Sequence, residues 1–239
     1  IKPAIDSIDL ILAQYESDAD RFNEIVSNKN INLCGNLKFD QDMPEELGSI
    51  SESIRDSWSI EGKRRPTLIA ASTHEGEEEI ILDVHARLRE QFGNLILIIA
   101  PRRLERCRHV TRIILSKGIS FMRRSEQLDK SDHDFSVLLL DTMGELAEVY
   151  SICDLAFVGR SLMAPGGGHN LIEPVAQGKP VLFGPFVENN QHNADELIKS
   201  GLGIRINNAN EMEESVKNWL SNKIELARLE GKAKGFILY

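Results

Sequence analysis

The sequence is poor in cysteine and has no long apolar run. Its three cysteines, Cys34, Cys107 and Cys153, lie far apart and lack the spacing of metal ligands. This pattern predicts reduced thiols and argues against a disulfide scaffold or a metal site. The longest apolar run, Leu95 to Ala100, is the length of a strand, whereas a membrane span needs about 18–20 residues. No signal peptide is recognisable, and we expect no cofactor.

Positive charge is also scarce. The chain has 28 Lys and Arg against 37 Asp and Glu, a net charge of −9. This balance argues against a general nucleic-acid binder or a polybasic membrane binder, although a local basic patch is compatible with it. With 239 residues and 41% hydrophobic side chains, the composition is that of an ordinary folded protein. At about 100–200 residues per domain, it predicts one large domain, or one domain and part of another.

Short apolar runs alternate with longer amphipathic segments. Several runs are apolar at consecutive positions, as in strands that are covered on both faces. The predicted fold is therefore α/β, a Rossmann-like doubly wound parallel sheet that binds ligands beyond the carboxyl ends of its strands. The candidate strands are Ile31–Cys34, Thr67–Ala71, Leu95–Ala100, Ile119–Met122, Val137–Leu140, Leu155–Val158, Val181–Phe183 and Gly203–Ile206.

The first 40 residues differ from the rest. They predict one helix, Asp6–Ser27, one short strand and a hinge-like stretch over residues 35–42. One helix and one strand cannot close a core, so we expect residues 1–40 to be the tail of a preceding domain. Residues 41–239 then form one domain with helices at its carboxyl end. Because the chain begins with Ile1 instead of Met, we expect it to be a fragment.

A glycine-rich loop follows the candidate strand Leu155–Val158. Backbone amides of Gly166–Gly168 can approach an anion without a Cβ clash, and the helix that follows favours phosphate at its start. Glu173, one turn into that helix, could accept hydrogen bonds from a ribose, with Asn170 on the same side. The alternative is a flexible loop with an ordinary first-turn acid. The loop is neither a GxGxxG fingerprint nor a Walker A loop.

Two further loops follow candidate strands earlier in the chain. In residues 70–79, helix capping explains the acids Glu77 to Glu79 but leaves His74 and Gly76 unexplained. In residues 100–108, Arg102 could clamp a phosphate or have a structural role. Arg106 and Arg108 are expected on a solvent-exposed helix face.

Two more loops complete the set. Residues 141–146 could bind a base edge or form a simple turn that Thr142 caps, and residues 183–192 could bind a sugar or cap the next helix. Because all five loops follow strands, we expect them to converge on one edge of one sheet. Together they predict a site for a phosphorylated ligand that carries a ribose.

These stretches resemble the bacterial 3-deoxy-D-manno-octulosonic acid (Kdo) transferases of lipopolysaccharide biosynthesis. The resemblance runs from about Leu10 to Leu202, with the motifs in the family's order. The matching stretches are GNLKFD at 35–40, AASTHEGEE at 70–78, Pro101-Arg102 with Glu105-Arg106, DTMGEL at 141–146, Gly167-Gly168-His169-Asn170 with Glu173-Pro174, and VLFGP at 181–185.

The resemblance implies a GT-B glycosyltransferase, in which two Rossmann-like domains face each other across a cleft. It implies that the carboxyl half binds the donor CMP-Kdo. The amino half would bind the lipid A precursor, supply the catalytic base and associate with the membrane, so no catalytic residue is expected in this chain. The full-length protein is expected at the cytoplasmic face of the bacterial inner membrane.

The resemblance also implies residue roles. Arg102 and the glycine loop would contact the CMP phosphate, Thr142 to Glu145 would lie against cytosine, and Asn170 and Glu173 would hold ribose or phosphate. Asn189 would lie near the donor sugar. The full predicted substrate-binding set is Pro101, Arg102, Thr142, Met143, Gly144, Glu145, Gly159, Ser161, Gly167, Gly168, Asn170, Glu173 and Asn189.

Four positions depart from the family pattern. The resemblance leads us to expect Gly at Arg160, His at Arg103 and at Phe186, and Pro at Leu171. Arg160 would either add a phosphate contact or obstruct the loop. The alternative functions are another GT-B glycosyltransferase or a sugar-nucleotide epimerase that uses a UDP sugar, or a non-catalytic nucleotide-binding or protein-interaction module. An NAD dehydrogenase is disfavoured, because no GxGxxG follows Thr67–Ala71.

Overall fold

The computed structural model describes residues 5, 7–14, 16–25, 30–34, 55–60, 62–129 and 134–236. The chain divides into two compact units, residues 1–43 and residues 44–239. The division falls three residues after the boundary predicted from the sequence. The predicted hinge over residues 35–42 and most of a helix predicted over residues 45–58 lie outside the described residues.

The smaller unit is a β-α-β segment. Strand β1 (Leu10–Ala13) and strand β2 (Asn30–Leu33) are parallel, with helix α1 (Glu16–Ile25) between them in sequence. The prediction of one helix over Asp6–Ser27 is wrong at its start. In β1, Ile11 and Ala13 are buried while Leu10 and Leu12 are exposed. That alternation has the period of a strand, not of a helix.

The larger unit contains seven strands and seven α-helices among the described residues. The strands are β3 (Thr67–Thr73), β4 (Ile96–Pro101), β5 (Phe121–Arg123), β6 (Val137–Leu139), β7 (Leu155–Val158), β8 (Val181–Phe183) and β9 (Gly203–Arg205). The helices are α2 (Glu77–Gln91), α3 (Cys107–Ser116), α4 (Leu146–Ile152), α5 (Ile172–Ala176), α6 (Gln191–Ser200), α7 (Ala209–Ser221) and α8 (Lys223–Phe236). Single 3-10 turns precede α3 and α6, and a longer one follows β5.

All seven strands form one parallel sheet in the order β5-β6-β4-β3-β7-β8-β9. The central strand is buried on both faces, since Leu68 to Ala71 have no exposed surface. Ile69 and Ala71 pack with Val149 and Tyr150 of α4 on one face. The predicted Rossmann-like, doubly wound parallel sheet is therefore confirmed, and the predicted strand bounds in this unit differ from the observed ones by at most two residues.

The strand order places a topological switch point between β3 and β7. From β3 the chain builds one half of the sheet through β4, β5 and β6, and then returns beside β3 to build the other half from β7. Connections on the two sides of such a point diverge, which leaves a crevice at the carboxyl ends of the two strands. Across the described residues, no helix combines the length and the apolar character needed to cross a membrane.

Candidate functional site

A cavity of about 640 Å³ opens at the carboxyl edge of the sheet, at the switch point. Its walls come from the loops after β3, β4, β6 and β7, so four of the five loops predicted to converge contribute to it. The lining residues are Ser72, His74, Ala100, Pro101, Arg102, Arg103, Leu104, Glu105, Leu140, Thr142, Met143, Gly144, Leu146, Arg160 and His169.

Three guanidinium groups that line this cavity have no partner among the residues that the structure describes. Five arginines among the described residues form no hydrogen bond or ion pair through their side chains, and three of the five, Arg102, Arg103 and Arg160, line the cavity. Glu105 is the one acidic residue among the described residues that line the cavity. The cavity is therefore locally electropositive in a chain whose net charge is −9. Unpaired guanidinium groups in a crevice attract phosphate and carboxylate groups.

A buried carboxylate fixes the two loops that frame the cavity. Glu77, at the start of α2, is fully buried, and its Oε2 accepts hydrogen bonds from the amides of His74 (2.9 Å) and Arg160 (2.8 Å). Its Oε1 accepts from the amides of Ser161 and Leu162, both at 3.0 Å. Four backbone donors around one carboxylate satisfy it without a cation. Glu77 thus joins the loop after β3 to the loop after β7.

Gly159 allows this close approach of the two loops. A Cβ at this position would lie 2.6 Å from the carbonyl oxygen of Ser72 and 2.8 Å from Oε2 of Glu77. Both distances are shorter than real Cβ contacts, so a larger residue would push the loops apart. The role of Gly159 is therefore to let the carboxyl ends of β3 and β7 meet.

A second buried acid orients the loop after β4. Glu78 is fully buried, and Arg106 donates to it through Nε at 3.1 Å and Nη2 at 3.0 Å. Thr73 donates to the same carboxylate at 3.3 Å. The hydrogen bond to Glu78 raises the pKa of Arg106. The prediction that Arg106 lies on a solvent-exposed helix face is wrong, because its side chain forms an ion pair with the buried carboxylate of Glu78.

Two histidines face each other at the cavity wall. The Nε2 atoms of His74 and His169 are 3.0 Å apart, and the rings stack with their centroids 5.2 Å apart. Burial lowers the pKa of both side chains, to about 4 for His169. Positive charge on His74, Arg102 and Arg160 lowers the pKa of His169 further.

The glycine loop is built differently from the prediction. The amide of Gly167 donates to Phe186 O (3.1 Å), that of Gly168 to Arg160 O (2.8 Å) and that of His169 to Gly159 O (3.4 Å). These amides are used within the protein and are not directed at an anion. The helix that follows, α5, has only five residues. In this structure, the arginine side chains supply the positive charge that the loop amides were expected to supply.

Family models and curated relatives that match this chain agree on one family of glycosyltransferases. Residues 65–236 match the model of the glycosyl transferases group 1, and residues 1–41 match that of 3-deoxy-D-manno-octulosonic-acid transferase (kdotransferase). A 3-deoxy-D-manno-octulosonic acid transferase of Haemophilus influenzae is 36% identical over 224 residues, which cover 93% of this chain and 51% of that protein.

A solved domain matches this chain along nearly all of its own length. It is the C-terminal CMP-Kdo binding domain of WaaA from Acinetobacter baumannii, with a TM-score of 0.71 and 30% identity over 82% of this chain and 99% of that domain. This chain belongs to the Kdo transferase family. It spans about half the length of most of the curated relatives it matches. The structure of Staphylococcus aureus MnaA with UDP, at 16% identity and a TM-score of 0.56, shares the fold.

Five residues of the predicted substrate-binding set line the cavity of this Kdo transferase chain. They are Pro101, Arg102, Thr142, Met143 and Gly144. Pro101 ends β4 and Arg102 follows it, whereas the other three follow β6, so the two loops face the cavity from neighbouring strands. Met143 is 82% exposed, which leaves an apolar surface at the cavity rim.

The other eight predicted residues do not line the cavity, and several have internal partners. Glu145 accepts hydrogen bonds from Arg124 (2.8 Å) and from Thr142. Ser161 is fully buried and accepts a hydrogen bond from the amide of Gly184 at 2.8 Å. Asn170 donates to Glu173 at 2.9 Å. Their ligand contacts therefore stay predictions.

The glycines and Asn189 stabilise the loop after β7. A Cβ on Gly167 would lie 2.4 Å from Nδ2 of Asn189, and the amide of Asn189 donates to the Gly167 carbonyl at 3.0 Å. Gly167 and Gly168 both have positive φ, 111° and 70°. These contacts position the segment that carries His169, which does line the cavity.

Sequence reasoning explained Glu77 and Glu78 only as first-turn acids and Ser72 only as a possible helix cap, and it assigned no role to His169. The signal for His74 was present, because capping could not explain it. His169 stands within the family motif that carried the resemblance. Among the described residues, no group of three His, Cys, Asp or Glu side chains could hold a metal ion.

Proposed function

We propose that the whole protein transfers Kdo from CMP-Kdo to a lipid A precursor in lipopolysaccharide biosynthesis. This chain supplies the half that binds CMP-Kdo. The observation that carries the proposal is the meeting of unpaired Arg102, Arg103 and Arg160 in one cavity at the switch point of the sheet. The chain's membership of the Kdo transferase family and its similarity to a CMP-Kdo binding domain support the choice of CMP-Kdo as the ligand.

The reaction is a displacement at the anomeric carbon of Kdo. A hydroxyl of the acceptor sugar attacks that carbon, the bond to the phosphate oxygen of CMP breaks, and a base takes the hydroxyl proton. Negative charge develops on the departing phosphate. Guanidinium groups that are already in place stabilise this charge without reorganisation. Arg102 is the residue to which we assign this role, since it directly follows β4 and lines the cavity without a partner among the described residues.

We assign recognition of the base to the loop after β6. Thr142, Met143 and Gly144 line the same cavity as the arginines, and Met143 offers an exposed apolar surface on which a pyrimidine can lie. We assign the catalytic base to the part of the relatives that lies outside this chain. This chain alone is therefore expected to bind CMP and not to transfer Kdo. Acceptor binding and association with the cytoplasmic face of the inner membrane belong to the whole protein in this proposal.

The test is a calorimetric titration of CMP into the folded chain and two variants. Arg102→Ala is expected to weaken CMP binding at least roughly tenfold, which corresponds to about 1.4 kcal/mol. Arg108→Ala is the matched control, because Arg108 is also exposed and unpaired but does not line the cavity. Its CMP affinity should stay within about twofold of the parent. No heat with the folded parent chain would contradict the proposal.

A UDP sugar is the alternative that the fold makes worth testing. The likeness to MnaA with UDP extends over 95% of this chain but shows only the fold. Titration of UMP and UDP beside CMP separates the two ligands. Tighter binding of CMP supports the Kdo transferase, and tighter binding of a uridine nucleotide supports the alternative. A full-length protein that binds CMP-Kdo without transferring Kdo would indicate a non-catalytic module.

A further inference from the structure

Backbone strain is concentrated at the cavity. Ser72 and Arg160 are the two non-glycine residues with positive φ among the described residues, at 54° and 56°. Both line the cavity, Ser72 near the carboxyl end of β3 and Arg160 in the loop after β7. At Ser72 the β3–β4 register shifts between Ala71 and Thr73. Strained residues of this kind persist where the surrounding structure fixes them, and they cluster at functional sites.

The backbone of Arg160 is fixed on both sides. Its amide donates to Oε2 of Glu77 at 2.8 Å, and its carbonyl accepts from the amide of Gly168 at 2.8 Å. The position therefore imposes the left-handed conformation on whatever residue occupies it. Glycine adopts that conformation freely, whereas the Cβ of arginine makes it unfavourable. No side-chain contact offsets this unfavourable free energy in the folded state, because the Arg160 side chain has no hydrogen-bond or ion-pair partner among the described residues.

The side chain of Arg160 is exposed and lines the cavity. Its charge lowers the pKa of both His74 and His169, as expected for a guanidinium close to the histidine pair. Arg102 also lowers the pKa of His169. Two unpaired guanidinium groups, in the loops after β4 and β7, thus line the same cavity as the His169 ring. Two cations repel each other unless an anion lies between them.

We propose that Arg160 is a specificity-determining residue that pairs with an anionic group of the ligand beside Arg102. This inference rests on the proposed function. The group is a phosphate or a carboxylate, and CMP-Kdo carries one of each. The strained backbone is maintained because it presents a second guanidinium to the donor.

The test uses Arg160→Gly, the substitution that removes the guanidinium and the strain together. The variant should unfold at a temperature about 2–4 °C higher than the parent, since the left-handed conformation no longer involves a Cβ. It should bind the anionic ligand at least roughly tenfold more weakly. Higher stability with weaker binding cannot be produced by a general disruption of the fold. Arg160→Lys, which keeps the charge, should recover part of the affinity.

Three ligands identify the group that Arg160 contacts. Weaker binding of both CMP and CMP-Kdo assigns Arg160 to the phosphate, and weaker binding of CMP-Kdo alone assigns it to the sugar carboxylate. Cytidine, which has no anionic group, should bind the parent and the variant equally. If Arg160→Gly binds CMP and CMP-Kdo as tightly as the parent does, the inference is wrong. That result would leave the proposed function standing, whereas a parent chain that binds no CMP would contradict the proposed function itself.

Discussion

The Nε2 atoms of His74 and His169 lie 3.0 Å apart in stacked rings that come from opposite sides of the switch point. A hydrogen bond between two imidazole nitrogens needs a proton on one and a lone pair on the other. The pair is therefore compatible with neutral rings and incompatible with two protonated ones. Burial lowers the pKa of both residues, and that of His169 to about 4, so both rings are neutral near pH 7.

The histidines predict an acid-labile fold. A group whose pKa is lower in the folded state than in the unfolded chain binds more protons when unfolded. The free energy of unfolding should therefore be highest above about pH 6.5, the ordinary value for histidine, and should fall as the pH is lowered towards about 4. Buried His85, whose pKa burial also lowers to about 4, adds to this slope.

Urea unfolding at about pH 7.5, 6 and 5 measures the slope. His169→Gln should make the decline shallower, whereas His109→Gln, on the exposed surface of α3, should leave it unchanged. Parallel pH profiles for the parent and His169→Gln would show that the pair does not contribute.

The Glu77 carboxylate should contribute strongly to stability. Glu77→Gln removes one acceptor and points an amide NH₂ at backbone N–H groups, which leaves buried donors unpaired. We expect a loss of about 2–4 kcal/mol in the free energy of unfolding. Glu79→Gln, exposed in the first turn of the same helix, should cost less than about 1 kcal/mol. Equal effects of the two variants in chemical denaturation would contradict the role assigned to Glu77.

Gly159 should tolerate no side chain. Gly159→Ala places a Cβ 2.7 Å from the Cα of Thr73, so we expect a loss of about 2–4 kcal/mol. Gly231→Ala is the control, because Gly231 lies in α8 with open space around it. Alanine there should raise stability by about 0.5–1 kcal/mol. Thermal unfolding of the two variants should therefore shift in opposite directions, and a shift in the same direction would count against the close packing at Gly159.

Arg106 should be needed for stability, unlike its neighbour Arg108. Arg106→Ala leaves the buried Glu78 carboxylate without its cation, and we expect a loss of about 2–4 kcal/mol. Arg108→Ala should change the free energy of unfolding by less than about 0.5 kcal/mol, because the residue is exposed and unpaired. Both variants are compared by urea denaturation. A loss at Arg106 no larger than that at Arg108 would restore the solvent-exposed interpretation.

The sheet was predictable because short apolar runs in the sequence coincide with its strands. Leu155–Val158 and Val181–Phe183 are apolar runs between turn residues, and the structure has the same bounds. The strand β1 was missed because Leu10–Ala13 also fits the helical spacing of the apolar residues that follow. Choosing between the two periods requires knowledge of the strand's partner, β2, which is 20 residues away.

The position of the cavity was predictable from the sequence, whereas the contacts within its walls were less so. Arg102 and the loop after β6 could be placed because residues that follow parallel strands share one edge. The role of Glu77 depends on amides 83 to 85 positions away, which no local pattern indicates. The amides of the glycine loop are occupied for the same reason, since the carbonyl partner of Gly167 belongs to Phe186 of the next loop. The positive φ of Arg160 could not be predicted either, because arginine rarely adopts that conformation.

Backbone amide NMR shifts on titration with CMP test the central claim most directly. We predict that the largest changes occur at Arg102, Met143, Arg160 and His169, at the carboxyl edge of the sheet. A second cavity of about 260 Å³, lined by Arg55, Arg65 and Lys179 among others, lies at the opposite edge and offers CMP another basic site. Changes confined to that second cavity, or spread evenly over the protein surface, would contradict the account.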